Sequence, residues 1–97
     1  MLSLKLSPEA IKDLEKIYEH TLKSWGSIKA ENYQDDLFER MLLMTNNSQI
    51  GAIYYFKHGN YRKLIADRHI LFYQQSSSEI SIIRILPEKM DLANNFE

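Results

Sequence analysis

The chain of 97 residues contains no cysteine, and this absence excludes several kinds of chemistry. Disulfide bonds, a thiolate nucleophile and cysteine-ligated zinc all require that side chain. The three histidines, His20, His58 and His69, are too few and too widely spaced to indicate a metal site. We therefore expect neither a metal ion nor another cofactor.

Long apolar runs and a strong net charge are also missing. No apolar stretch approaches the roughly 20 residues that a membrane-spanning helix needs, and the first residues lack the basic start and apolar stretch of a signal peptide. The net charge is -1, so no overall basic field favours nucleic acid. We expect a cytoplasmic protein that does not associate with membranes and that meets nucleic acid only through a complex with another protein.

The composition that remains is typical of a small globular domain. Hydrophobic residues make up 44% of the chain and charged residues 26%, which is not the balance of a disordered protein. The length predicts a single domain over residues 1–97. A core of this size has room for one layer of helices against one small sheet.

In the N-terminal half, the sequence predicts a strand followed by two helices. Leucine alternates with polar residues over residues 2–6, which is typical of a short, half-buried strand. Residues 7–9 suit a helix start, because serine caps, proline fits the first helical position and glutamate favours the positive end of the dipole. Apolar residues at spacings of three and four predict helices at about 8–24 and 28–44. The short break at Gly26 makes them an antiparallel hairpin.

In the C-terminal half, three antiparallel strands are predicted at about 61–66, 68–75 and 79–86, separated by turn residues. The segment from Ile50 to about residue 58 is rich in aliphatic and aromatic side chains. We expect this segment to pack down onto the domain as a loop or to form part of a partner surface. The prediction is an α+β fold in the order β-α-α-β-β-β, with the helical hairpin packed on a small, mainly antiparallel sheet.

Alternation assigns the two faces of the last strands. Ile70 and Phe72 are predicted on one face of the middle strand, with Tyr73 on the other. One face of the last strand is predicted to carry Ile80, Ile82, Arg84 and Leu86, and the opposite face Ile83 and Ile85. Apolar residues on both faces predict central strands that are covered on each side.

Several short segments, in order, resemble one family of toxins. The strongest matches are YRKL at residues 61–64, RHILFY at 68–73 and IIRIL at 82–86, with LSPEA at 6–10 and the Met-Asp pair at 90–91. Their order and spacing cover nearly the whole chain. On these segments the chain resembles the ParE branch of the RelE/ParE superfamily, the toxins of bacterial type II toxin–antitoxin pairs. Pro87 is a departure, because the family commonly has a histidine between the arginine-bearing strand and the Met-Asp pair.

The resemblance implies a function and its partners. A ParE-like toxin is expected to inhibit DNA gyrase, to arrest growth, to serve plasmid stabilisation and to be neutralised by a ParD-like antitoxin. Either a homodimer or a toxin–antitoxin hetero-oligomer is open. The RelE branch has a similar fold and cleaves messenger RNA on the ribosome, so a ribosome-dependent mRNA interferase is the alternative. A third interpretation is a member that only binds its antitoxin.

A ribonuclease would need a general base, a general acid and a cation for the developing phosphate charge. The candidates are Arg62, His69, Tyr73 and Arg84. Residues His69 and Tyr73 stand at strand spacing among apolar neighbours, where packed side chains are the commoner outcome, and Arg84 is expected to pair with an acid such as Asp67 or Glu79. Because the net charge also speaks against a nuclease that works among ribosomal RNA, we predict that the protein is not an enzyme and has no catalytic residues.

Two binding surfaces are predicted instead. Basic residues of the C-terminal half and the final turn, at about residues 92–96, are expected to face the target: Arg62, Arg68, Arg84, Lys89 and Met90. Excess apolar and aromatic residues are expected to bind the antitoxin: Tyr18, Leu22, Trp25, Tyr54, Tyr55 and Phe56. For Trp25, a place in the core is an equally open prediction.

Overall fold

Two helices lie against one face of a five-stranded sheet in the computed structural model, which describes residues 2–56 and 59–89. The elements in chain order are β1 Ser3–Leu6, α1 Pro8–Trp25, α2 Ser27–Asn46, β2 Ala52–Phe56, β3 Gly59–Ala66, β4 His69–Gln75 and β5 Glu79–Pro87. The predicted α+β class, with a helical hairpin on a small sheet, is confirmed. Neither α1 nor α2 contains the length of uncharged, apolar helix that spanning a bilayer requires.

The start of α1 follows the predicted capping chemistry and is tied to the sheet. The Ser7 side chain accepts a hydrogen bond from the Ala10 backbone N–H at 3.0 Å, and Pro8 occupies the first helical position. The Ser7 hydroxyl also donates to the Ile83 carbonyl at 2.7 Å. Gly26 has a φ of 93°, which a residue with a side chain rarely adopts, and this glycine separates the two helices.

The sheet has the order β1-β5-β4-β3-β2. Strand β1 pairs in parallel with β5, and every other neighbouring pair is antiparallel. The predicted mainly antiparallel sheet is therefore confirmed. Because the first strand pairs with the last, the chain leaving β1 enters α1 directly over β5.

Strand β2 was missing from the predicted order. Residues 52–56 form an edge strand paired with β3, so the order is β-α-α-β-β-β-β and the prediction of a loop at this position is wrong. The segment AIYYF contains no charged or strongly polar residue. Without alternation between apolar and polar residues, the period-2 signal of a half-buried strand is absent.

The core consists of two apolar clusters, one on each face of the sheet. The larger cluster joins α1 and α2 to Leu71 and Tyr73 of β4, and the smaller one contains Ile70, Phe72 and Leu86. The predicted division of β4 between its two faces is thus confirmed. Tyr54 and Tyr61 pack against the smaller cluster on the face away from the helices.

The predicted faces of β5 are wrong beyond Ile82. The register pairs Tyr73 with Ile82 but Phe72 with Arg84, so one extra residue is inserted in β5. Such a bulge shifts the alternation by one position. As a result Ile85 joins Ile80 and Ile82 in the larger cluster, while Leu86 lies in the smaller one.

Candidate functional site

Arg84 lies in a partly buried ion pair that links β5 to α1. Its Nε donates to Asp13 Oδ2 at 2.8 Å and its Nη2 donates to Asp13 Oδ1 at 3.0 Å. The Ile85 backbone N–H donates to the same carboxylate at 2.9 Å. The hydrogen bonds to this carboxylate hold the pKa of Arg84 above its ordinary value. Asp13 therefore links Arg84 and the backbone of β5 to α1.

The sequence-based choice of partner for Arg84 is wrong. Asp67 and Glu79 were expected, but Asp13 is the acid that forms the ion pair. The parallel pairing of β1 with β5 carries the first turns of α1 over β5, and this long-range arrangement decides the partner. A local signal was available, since Asp13 stands in the apolar face of α1 beside Leu14 and Ile17. A carboxylate on a core-facing stripe indicates a buried cationic partner.

Tyr73 and Arg62 come together around one glycine. The Tyr73 hydroxyl accepts a hydrogen bond from the Gly51 N–H at 2.8 Å and donates to the Ser48 carbonyl at 2.9 Å. Arg62 Nη1 donates to the Gly51 carbonyl at 2.7 Å. Burial raises the pKa of the Tyr73 phenol. A Cβ at Gly51 would lie 2.7 Å from the Tyr73 hydroxyl oxygen, so this position requires glycine. These two candidates hold the connection between α2 and β2.

His69 lies at the opposite end of β4 and is paired with α2. The Tyr33 hydroxyl and His69 Nδ1 are 2.6 Å apart, and the same hydroxyl lies 3.3 Å from the Ala66 carbonyl oxygen. Burial lowers the pKa of His69 and raises that of Tyr33. A small mixed cavity of about 280 Å³ opens beside Tyr33 and is also lined by Asp36, Leu37, Arg40, Ala66 and Asp67.

The four ribonuclease candidates are therefore distributed over three separate polar groups. Arg62 and Tyr73 are neighbours, but His69 is four residues along β4 from Tyr73, which corresponds to about 13 Å of strand. Arg84 is held by Asp13. The described residues do not bring a base, an acid and a cation to one point.

The predicted antitoxin residues fall into two places. Tyr18 is half-buried in a shallow groove of about 350 Å³ between the helices, which is also lined by Ile11, Leu14, Glu15, Glu19 and Gln34. Beyond it, Leu22 and Trp25 are 40% and 57% exposed at the hairpin tip, so the prediction of a core position for Trp25 is wrong. The Lys29 ammonium lies 4.8 Å from the Trp25 ring centroid.

The second place is β2 at the sheet edge. The Tyr54 ring lies 5.3 Å from Phe72 and under the Lys63 ammonium, while the Tyr55 side chain is 71% exposed. Phe56 is the last residue of the strand. The two helix backbones run beside β1, β3 and β5 and not beside β2. The predicted set is consequently divided between the hairpin and an edge that the helices do not cover.

The predicted target-facing residues are also divided. Arg68 in the β3–β4 turn and Lys89 after β5 are exposed. Arg62 and Arg84 are half-buried, and their guanidinium groups donate the hydrogen bonds described above. Met90 and the predicted final turn at residues 92–96 lie outside the described residues.

Charge is separated between the two layers of the fold. Residues 8–46, which form the helices, contain five Lys and Arg residues and eight Asp and Glu residues, whereas residues 47–89 contain six and three. The helix layer thus carries a formal charge of -3 and the segment that forms the last four strands carries +3. A net charge of -1 conceals this separation.

The arrangement of a helical hairpin on a mixed five-stranded sheet is that of a known class of toxin. The family model described as "ParE toxin of type II toxin-antitoxin system, parDE" matches residues 4–92. The chain therefore belongs to the ParE toxin family, the toxins of type II toxin–antitoxin systems.

Particular relatives have been named within this family. The chain is similar to Toxin ParE1 from two strains of Mycobacterium tuberculosis, with 35% identity over 91 residues that cover 93% of each chain. Among solved structures it is similar to a chain of the chromosomal ParDE toxin–antitoxin system from P. aeruginosa. That match has a TM-score of 0.77 and 27% identity, and it covers 90% of this chain and 96% of the other.

Proposed function

We propose that this toxin inhibits DNA gyrase by binding it, in the cytoplasm, and that it is not an enzyme. Membership of the ParE family supports gyrase as the target. The proposal that the protein is not an enzyme is supported by the internal contacts of the candidate catalytic side chains. Arg84 holds Asp13, Tyr73 holds the α2–β2 connection and His69 pairs with Tyr33. A binding function needs an exposed surface and leaves these contacts intact.

The target-facing surface is proposed on the basic side of the molecule. The exposed cations Arg68 and Lys89 lie at the same end of the sheet, where the Glu88 N–H donates to the Arg68 carbonyl at 2.9 Å. Arg62 and Arg84 contribute less to recognition, because their guanidinium groups are engaged in internal hydrogen bonds. Exposed cations increase the rate of association with an acidic partner. They contribute to affinity mainly where the partner buries them.

A ParD-like antitoxin is proposed as the partner that neutralises the toxin. The groove around Tyr18 and the exposed Leu22 and Trp25 form a continuous apolar strip along α1 at helical spacing. An amphipathic helix of the antitoxin, laid along this strip, would cover it. The aromatic residues of β2 are a second proposed contact.

One experiment separates the proposed function from its alternative. The purified toxin is added to gyrase with supercoiled DNA, and in parallel to ribosomes carrying messenger RNA. We expect stalled gyrase cleavage complexes and intact messenger RNA. Cleavage of messenger RNA without an effect on gyrase would favour the mRNA interferase, for which Arg62 beside Tyr73 is the supporting geometry. An effect on neither would favour a member that only binds its antitoxin.

A matched pair of charge reversals tests the target-facing surface. Arg68→Glu is expected to weaken gyrase inhibition at least about tenfold, a typical effect of reversing a cation within an interface. Lys12→Glu changes another exposed cation, on α1, and is expected to leave inhibition unchanged. Truncation after Pro87 keeps β5 complete and is expected to abolish growth arrest. A folded truncated chain that still arrests growth would contradict the placement of the surface.

A further inference from the structure

Within the described residues, the outer edge of β2 lacks the charges, prolines and bulges that usually protect an edge strand. Every residue from Met41 to Phe56 is uncharged, and β2 contains no proline. Its pairing with β3 continues without a register shift from Ala52 to Phe56. Charges, prolines and bulges are the common means of preventing one sheet edge from pairing with another. Among the strands of residues 2–56 and 59–89, β2 is the last of the sheet, and its outer edge is open to an additional strand.

The side chains along this edge are exposed because the helix layer stops short of them. Ile53 and Tyr55 alternate with Tyr54 and point to the same face of the sheet. Ile53 pairs with Arg62, which in turn pairs with Tyr73, so this is the face on which the helices pack. The helices run beside other strands, and Ile53 and Tyr55 remain 55% and 71% exposed.

The side chains of β2 would fit those of a second β2 strand from another copy of the chain. In an antiparallel pair of β2 strands related by a two-fold axis at Tyr54, Ile53 of one copy lies opposite Tyr55 of the other, and the same contact occurs twice. Aromatic side chains opposite β-branched ones are favourable cross-strand pairs. No like charges meet, because the strand carries none. A foreign segment that is recognised by charge would find no charged complement here.

We infer that β2 is a homodimerisation edge, through which two copies of the free toxin join their sheets, antiparallel at the β2–β2 contact, into one ten-stranded sheet. The contact is isologous and closes after two copies, so it yields a dimer and not a filament. It uses neither the apolar strip of α1 nor the basic end of the sheet, and it is independent of the gyrase proposal. It does use the β2 residues proposed above as a second antitoxin contact, so the antitoxin would displace the second copy from this edge. Because strands of five residues make a small interface, we expect a weak dimer whose formation depends on concentration.

The first test is the mass of the free toxin as a function of concentration, measured by light scattering after gel filtration. We expect the mass to rise from that of one chain, 11.5 kDa, to twice that value. Ile53→Lys is expected to raise the dissociation constant at least tenfold by placing two cations at the edge. Ile28→Lys is the matched control, since it adds the same charge at a more exposed isoleucine, 74%, in α2. Circular dichroism checks that both variants remain folded.

The second test reads the register directly. Since the chain has no cysteine, an equimolar mixture of Ile53→Cys and Tyr55→Cys chains is oxidised, and the hetero-disulfide is expected to exceed either homo-disulfide. An Ile28→Cys chain is expected to remain uncrosslinked.

Three outcomes would overturn the inference. They are a toxin that stays monomeric at all concentrations, a dimer that Ile53→Lys leaves intact, and a β2 edge that becomes protected from hydrogen exchange only when antitoxin is bound. The last outcome would assign the edge to the antitoxin.

Discussion

Asp13→Ala removes the carboxylate that joins α1 to β5, and its cost can be worked out from three hydrogen bonds. The Ile85 N–H is buried and loses its acceptor, which costs about 1–3 kcal/mol. Arg84 loses two charge-assisted bonds, a loss that we place at about 1.5 kcal/mol, the lower end of the usual range, because its side chain is 21% exposed and rehydrates in part. The sum is about 2.5–4.5 kcal/mol, and because the pair is only partly buried we expect a loss in the lower part of this range, about 3 kcal/mol.

The assay is unfolding of the purified toxin by urea and by heat, followed by circular dichroism. A loss of about 3 kcal/mol in a domain of this size corresponds to a fall in Tm of roughly 12–24 °C. Lys12→Ala, the neighbouring exposed position on α1, is expected to change stability by less than about 0.5 kcal/mol.

A double replacement separates the pair from its individual members. Asp13→Leu combined with Arg84→Met removes both charges and is expected to cost less than the sum of the two single changes, because neither charge is left buried without its partner. A loss below about 1 kcal/mol for Asp13→Ala would refute the reasoning, since it would mean that the Ile85 N–H finds another acceptor. Additive single and double changes would equally contradict a coupled pair.

Three further outcomes are expected. Tyr73→Phe leaves two backbone groups around Gly51 without their partner, and urea unfolding should show a loss of about 1–3 kcal/mol. His69 has a pKa below its ordinary 6.5, so the unfolded chain binds more protons than the folded one as the pH falls below that value. Its stabilising effect is therefore complete above about pH 6.5 and is lost as the pH falls through the lowered pKa, and this dependence should be weaker in His69→Gln. Trp25 is the only tryptophan, so a blue shift of its fluorescence on adding antitoxin would report burial of the hairpin tip, and an unchanged spectrum would exclude Trp25 from that interface.

The helices show how much local pattern can determine. Ser7 caps α1 as predicted and Gly26 separates the two helices, because capping and a positive φ are properties of a few adjacent residues. The observed helices extend one or two residues beyond their predicted ends, where hydrogen bonding and not periodicity sets the limit.

The edge of the sheet shows where local pattern is insufficient. Strand β2 carries no polar alternation, and its strand state depends on pairing with β3. The bulge opposite Phe72 and Tyr73 likewise leaves no mark in the sequence, yet it reverses the faces of Ile85 and Leu86. Both features depend on which backbone lies alongside, and periodicity within one strand does not contain that information.

By itself, the sequence determined the toxin family, the α+β class, the helical hairpin and the two faces of β4, because each follows from short-range periodicity, capping or an ordered set of segments. Only the tertiary structure decided that Asp13 holds Arg84, that Tyr73 and Arg62 meet at Gly51, and that Trp25 is exposed. The physical reason is the parallel pairing of β1 with β5 and the addition of β2 at the far edge. These long-range contacts decide which side chains become neighbours and which remain available to a partner.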